Sequence, residues 1–218
     1  MSNVLKAMTV ADLIEGLENI PPSRILLHPT PGTATEQDVI EAEARTNRLC
    51  ELWDGVLVEK PMGFYESRLA VILAHLLEDF LEVQDLGFVI GAAGMLRVRP
   101  GQVRLPDVSY FSWKHFPKRV LPPGAILNRT PDLAVEILSR TNTKKEMARK
   151  RREYFRGDTK LVWEVDPAAR TVRVYTSPQK GETLGENDIL RGDTVLPGFE
   201  LSIQQWFARA GRRASRRS

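Results

Sequence analysis

The segment DLAVEILS (132–139) is an apolar run with a single carboxylate, Glu136, near its middle. Apolar neighbours on both sides mark a central strand buried on both faces, so the segment predicts a sheet covered on each side. A carboxylate buried there is costly unless something compensates it. A second segment, LPDVSYF (105–111), places Asp107 directly after Pro106. The proline marks a strand start or a bulge, and Asp107 shares its face with Ser109 and Phe111. If the two strands are neighbours, both carboxylates point to one spot. At about 4 Å and an effective dielectric of about 20 they repel by about 4 kcal/mol, a penalty that a divalent cation turns into a binding site. Hard oxygen ligands suit magnesium or manganese.

Downstream of DLAVEILS, the loop SRTN leads into a basic helix from about Lys144 to Arg156, opened by a capping box of Thr143 and Glu146. Met147 and Tyr154, seven apart, mark its inward stripe. Lys150 lies between them and is expected to face the sheet near Glu136, with Lys145, Arg149 and Arg152 pointing more outward. A sheet-facing lysine beside two carboxylates is suited to positioning a water or stabilising charge on a phosphate. Strands follow at KLVWEVD (160–166) and TVRVYTS (171–177), and TVLPGFELSIQQWF (194–207) reads as a last strand and a docking helix.

Upstream, residues 64–83 form the clearest helix, with Leu69, Ile72, Leu73, Leu76, Phe80 and Val83 on one stripe and His75 outside it. Glu66 falls on the inward half of its first turn, where an acid suits the helix dipole or a metal site reached through water. CELWDGVLVEK (50–60) alternates around Asp54-Gly55 as a hairpin, and GFVIG (87–91) and MLRVRP (95–100) are short strands. Residues 9–19 predict a short helix capped by Thr9, residues 21–34 a proline-rich irregular arm, and 35–45 a helix. The fold class is α/β in the wider α+β sense: a mixed sheet with helices packed on it. The expected organisation is a helix and arm over 1–35, a domain over 36–208, and a basic, disordered tail over 209–218.

The 218 residues are 42% hydrophobic and 27% charged, which excludes a disordered, collagen-like or membrane-spanning chain. No apolar run approaches the roughly 18–20 residues of a spanning helix, and no signal peptide is read at the start. One cysteine, Cys50, allows no internal disulfide, and a cytoplasmic location is expected. The net charge of +3 is largely a tail effect: without the four arginines of the last seven residues, 27 basic face 28 acidic residues. A neutral body argues against a broadly coating nucleic-acid binder, yet eight basic residues and two acids lie between Arg140 and Arg156. The three histidines have no zinc spacing, no serine sits in a nucleophile elbow, and GAAG (91–94) lacks the lysine of a phosphate loop.

The set ELWDGVLVEK, LPDVSYF, DLAVEILS, Lys150–Tyr154 and LVWEVDP resembles the Uma2 family of bacterial proteins, part of the restriction-endonuclease-like PD-(D/E)xK superfamily, from about Thr9 to Phe207. The resemblance implies a restriction-endonuclease-like mixed sheet flanked by helices, with a carboxylate metal site. It makes Asp107 and Glu136 the metal ligands, helped by the carbonyl of Ile137. The superfamily lysine belongs two residues after the second acid, where this chain has Leu138, so Lys150 is its best match. Glu66 matches the acidic position of the first core helix. The implied activity is Mg2+- or Mn2+-dependent hydrolysis of DNA, with Asp107, Glu136, Lys150 and Glu66 as the catalytic set. Lys144, Lys145, Arg149 and Arg152 would contact backbone phosphates, and a homodimer would cut both strands.

Plainer readings stand beside these. Glu136 can be half of a structural ion pair with Lys150 or Arg151, Glu66 a first-turn helix acid, and the basic helix a solvated face. The whole fold can serve as a nucleic-acid- or partner-binding module without catalysis. A small-molecule hydrolase with the same metal site would want an aromatic-lined pocket, and aromatic residues are only 7% of the chain.

Overall fold

The computed structural model describes residues 9–61 and 63–211. The chain runs α1 (Val10–Gly16), α2 (Glu36–Thr46), β1 (Cys50–Trp53), β2 (Val56–Glu59), α3 (Phe64–Gln84), β3 (Gly87–Gly91), β4 (Met95–Arg99), β5 (Gln102–Arg104) and β6 (Val108–Ser112). It continues through β7 (Ile126–Leu127), β8 (Leu133–Ile137), α4 (Lys144–Arg156), β9 (Leu161–Asp166), β10 (Thr171–Tyr175), β11 (Gly181–Leu184), β12 (Ile189–Arg191), β13 (Glu200–Ser202) and α5 (Ile203–Ala210).

Six strands form the main sheet in the order β11-β10-β9-β8-β6-β3. Only β8 and β9 run parallel, because α4 carries the chain back between them as a crossover. All five residues of β8 are buried, as its apolar run predicts for a central strand. One face of this sheet carries the largest core. There Val135, Ile137, Trp163 and Val165 meet Leu69, Leu73, Leu77 and Leu81 of α3, and Trp206 and Phe207 of α5. The other face takes α4 through Ala134, Val162 and Tyr154, joined by Val98 of a second, five-stranded sheet in the order β2-β1-β5-β4-β7. The sheet is therefore mixed and covered on both sides, as expected for an α+β chain.

One expectation shifts. On α3, Leu77 and Leu81 are buried, Leu76 and Phe80 are only partly covered, and Val83 is 80% exposed. The helix is apolar over a wide arc, and its neighbours, β3 and α5, decide which part is used. The N-terminal helix and arm pack against the hairpin. Leu13, Leu17 and Ile20 pack on Trp53, Val56 and Val58. The turn between β1 and β2 has φ of +49° at Asp54 and +81° at Gly55, the arrangement of a tight primed hairpin turn. Gly55 accepts hydrogen bonds from Gly32 and Ala34 of the arm, and a side chain there would strike the Gly32 backbone at 2.6 Å. At the other end, α5 reaches Ala210, and the arginine-rich remainder of the expected tail lies outside the described residues.

The packing separates two positions on the predicted stripes. Trp206 is fully buried and its indole N–H donates to the Leu69 carbonyl at 3.1 Å, so Trp206→Ala should lose about 3–5 kcal/mol of stability in urea unfolding. Val83→Ala should stay within about 0.5 kcal/mol of wild type.

Candidate active site

The antiparallel pairing of β6 and β8 puts Val108 opposite Val135. One step further, Asp107 stands beside Glu136. Two bonds staple Asp107 there: its N–H donates to the Val135 carbonyl at 2.9 Å, and its Oδ2 accepts the Ile137 N–H at 2.6 Å. Both acids are buried. From α4, Lys150 reaches down between Met147 and Tyr154, and its Nζ lies 2.8 Å from Glu136 Oε1. The Tyr154 hydroxyl donates to the same oxygen at 2.5 Å. Asp107, Glu136 and Lys150, far apart in sequence, thus form one cluster.

Two members of this cluster have no part in the sequence reading. Glu51 of β1 is completely buried, with Oε1 2.9 Å from Lys150 Nζ. The same oxygen accepts the Leu105 N–H, and Oε2 accepts the Trp53 indole N–H, each at 3.0 Å. Lys60, just past β2, places its Nζ 2.8 Å from Asp107 Oδ1. The signal for Glu51 was present: it is an acid between Cys50, Leu52 and Trp53, and apolar neighbours were the argument that singled out Glu136. For Lys60 no local pattern exists, because only the packing of the two sheets brings the hairpin end to Asp107.

Three carboxylates and two ammonium groups share this low-dielectric space. Burial alone would raise the Glu51 carboxyl, but the charges of Lys150 and Arg104 outweigh it and hold it at about 2. Burial pushes Glu136 the other way, to about 7. Lys150 counteracts this only in part, and the negative charges of Asp107 and Glu51 add to the rise. For Lys150, burial is overcome by Glu136 and Glu51, which raise its pKa and keep it an ammonium. It is therefore a hydrogen-bond donor in this arrangement.

Among the described residues no three histidine, cysteine or carboxylate side chains converge into a metal cage. Magnesium seldom needs one: it takes one or two carboxylates and completes its shell with water and substrate phosphate. Asp107 and Glu136 fit that donor set.

The remaining expected residues are spread around the cluster. Glu66 is buried and lines a groove of about 760 Å3 that begins just past Glu136, with Leu138, Ser139, Arg140 and Lys144. Lys144 and Lys145 are exposed. Arg149 does not point outward: it pairs with Asp54 and with Glu153, and its guanidinium lies against the Trp53 ring. Arg152 turns toward Glu18 at 3.7 Å. The face of α4 turned away from the sheet is not all solvent, because α1 and the hairpin turn cover part of it. Arg151 pairs with Glu164, leaving Glu136 to Lys150. The arm is tied to this helix by Arg24, which forms a buried two-pronged pair with Glu146 at 2.8 and 3.0 Å.

A family model, described as "Uma2: Putative restriction endonuclease", matches residues 37–204. The chain belongs to the Uma2 family. Its match covers the hairpin, both strands of the acid pair and α4, so every member of the cluster lies inside it, and the family description supports a nuclease-like function. Among solved structures, the fold is similar to a crystal structure described as a "putative nuclease belonging to DUF820" from Anabaena variabilis ATCC 29413. The two share 20% sequence identity and a TM-score of 0.67, over 76% of this chain and 93% of that one. No curated protein matches the chain. Among the described residues of this Uma2 member, no helix is long and apolar enough to cross a membrane.

The low pKa of Glu51 has a consequence for stability. A carboxylate held below its ordinary 4.5 stabilises the fold above that pH, and the contribution is lost as pH falls from about 4.5 toward 2. Glu51→Gln should therefore lower stability at pH 7 and flatten its decline over this acid range, as followed by chemical denaturation at stepped pH.

Proposed function

We propose that this Uma2 protein is a metal-dependent endonuclease that hydrolyses phosphodiester bonds in DNA. The observation that carries the reading is the convergence of Asp107, Glu136 and Lys150 at the junction of two sheets, with a groove whose wall begins at Leu138, two residues past Glu136. Asp107 and Glu136 are the side chains that would hold Mg2+ or Mn2+. A divalent cation bound there supplies Lewis-acid polarisation of the phosphate. Lys150, kept as an ammonium, orients the attacking water or donates to a phosphate oxygen as negative charge grows on it. Its second carboxylate, Glu51, fixes the ammonium in place. Glu66, at the groove wall, is suited to ordering water next to the acids.

The groove gives the cationic side chains different tasks. Arg140 and Lys144 are exposed on its wall and form no ion pair among the described residues. They suit contacts to flanking phosphates, which fix register without reading sequence. Lys145, exposed on the next position of α4, can add to the same field. Arg149 is committed to internal partners and Arg152 faces Glu18, so neither fits the phosphate role. A second copy of the chain would supply the second cut of a duplex.

One observation favours the other reading, a binding module without catalysis. Each acid of the cluster already has a lysine within 2.9 Å, as in a purely structural ion-pair network. Calorimetric titration with Mn2+, with plasmid cleavage in parallel, separates the two. The nuclease reading expects millimolar or tighter binding that disappears in Glu136→Gln. It also expects cleavage that falls about a hundredfold or more in Lys150→Ala while metal binding survives. Absence of metal binding in wild type, or unchanged cleavage by Lys150→Ala, overturns it.

Salt dependence tests the groove. The slope of log K against log salt for a DNA duplex should fall by about one for Arg140→Ala and for Lys144→Ala. It should stay at the wild-type value for Arg152→Ala, measured by fluorescence anisotropy.

A further inference from the structure

Lys60 is a cation of the cluster for which the roles given to Asp107, Glu136 and Lys150 leave no task. Its side chain is only 4% exposed, and its Nζ sits 2.8 Å from Asp107 Oδ1. It also donates to the Ala92 carbonyl, at a long 3.5 Å. The second oxygen of Asp107 is taken by the Ile137 N–H. Both oxygens of one acid are thus engaged by protein donors. The N–H is a backbone donor held in place by β8, whereas Lys60 reaches Oδ1 on a flexible side chain, so Oδ1 is the oxygen that can change partner.

The two lysines of the cluster are held differently. Lys150 is fixed between two carboxylates, Glu136 and Glu51. Lys60 has one carboxylate and one long carbonyl contact. A lysine ammonium is a point charge on a flexible four-carbon stem, without the rigid fork that locks an arginine to a carboxylate. A buried carboxylate needs a countercharge at all times, and a divalent ion on Oδ1 would place like charges side by side if Lys60 stayed.

We propose that Lys60 is the resident counter-ion of Asp107: it occupies Oδ1 when no divalent ion is bound, competes with the ion for that oxygen, and swings aside when the ion enters. The proposal rests on the reading of Asp107 as a metal ligand. Lys60 is then a positioning residue that keeps the acid pair folded and neutralised in the metal-free protein and sets how much metal is needed to load it. Lys150 stays in place throughout.

Two measurements on the full chain test this. In calorimetric titration with Mn2+, Lys60→Gln should bind about tenfold or more tighter than wild type, because a competing charge is gone, whereas Lys60→Arg should gain nothing. In unmodified protein, acetylation of Lys60 by a small amine-reactive ester, located by mass spectrometry, should rise at saturating Mn2+. Lys160, an exposed lysine paired with Asp158, serves as the constant reference. Equal or weaker binding by Lys60→Gln overturns the proposal, as does labelling of Lys60 that is unchanged or reduced by the metal. If Lys60→Gln does not fold, the labelling result alone decides. Wild-type binding that Glu136→Gln abolishes, with either negative Lys60 result, removes only the Lys60 role. Absence of Mn2+ binding in both wild type and Lys60→Gln removes the metal site itself and the Lys60 role with it.

Discussion

Burying three carboxylates where two sheets meet is the constraint around which this fold is arranged. Asp107, Glu136 and Glu51 come from three different strands, and none can be covered without a countercharge. Lys150 is supplied by α4 and Lys60 by the end of the β1–β2 hairpin. The ion pairs therefore specify where α4 and the hairpin dock against the main sheet, while the apolar contacts of Tyr154, Ala134, Val162 and Val98 supply the burial. Hydrophobic packing alone would tolerate several positions of α4 along the sheet. The placement of one ammonium between Glu136 and Glu51 tolerates far fewer.

The network extends beyond the cluster in one direction. Arg104 is wholly buried, pairs with Glu153, donates to the Gln102 side chain and lies 3.9 Å from the centre of the Trp53 ring. Trp53 in turn donates to Glu51. On the far side of α4, Glu146 does two jobs: it closes the capping box with Thr143 and takes both prongs of Arg24. The helix that carries Lys150 is therefore held at its N-terminus by the arm and at its middle by the cluster. Such support suits the fixed position that the proposed function asks of Lys150.

The opposite direction is open. Past Glu136 the chain leaves the sheet into the loop at Ser139 and Arg140, and the groove there is lined by polar and charged residues on α4, β9 and β10. One end of the cluster is thus locked by arginines and an indole, and beyond the other the groove wall begins at Leu138, two residues past Glu136.

The local sequence settled much of this. The run around Glu136 determined a central strand, because only a strand buried on both faces carries apolar residues at consecutive positions. Asp54-Gly55 determined a tight hairpin, since the backbone there needs positive φ at two successive residues. Thr143 and Glu146 fixed the start of α4, and the spacing of Met147, Lys150 and Tyr154 turned the lysine to the sheet. All of these depend on neighbours within about one turn or a few strand residues. What covers the other side of each element was decided only in three dimensions. Arg149 points into protein because α1 and the hairpin turn cover that side of α4, and Val83 is exposed because α5 and β3 choose a different part of the α3 surface. Glu51 and Lys60 enter the cluster because β1 and β2 pack beside strands some fifty to eighty residues away in sequence. An electrostatic site is a property of distance in space, and periodicity in a sequence reports only which face a residue is on, not what lies opposite it.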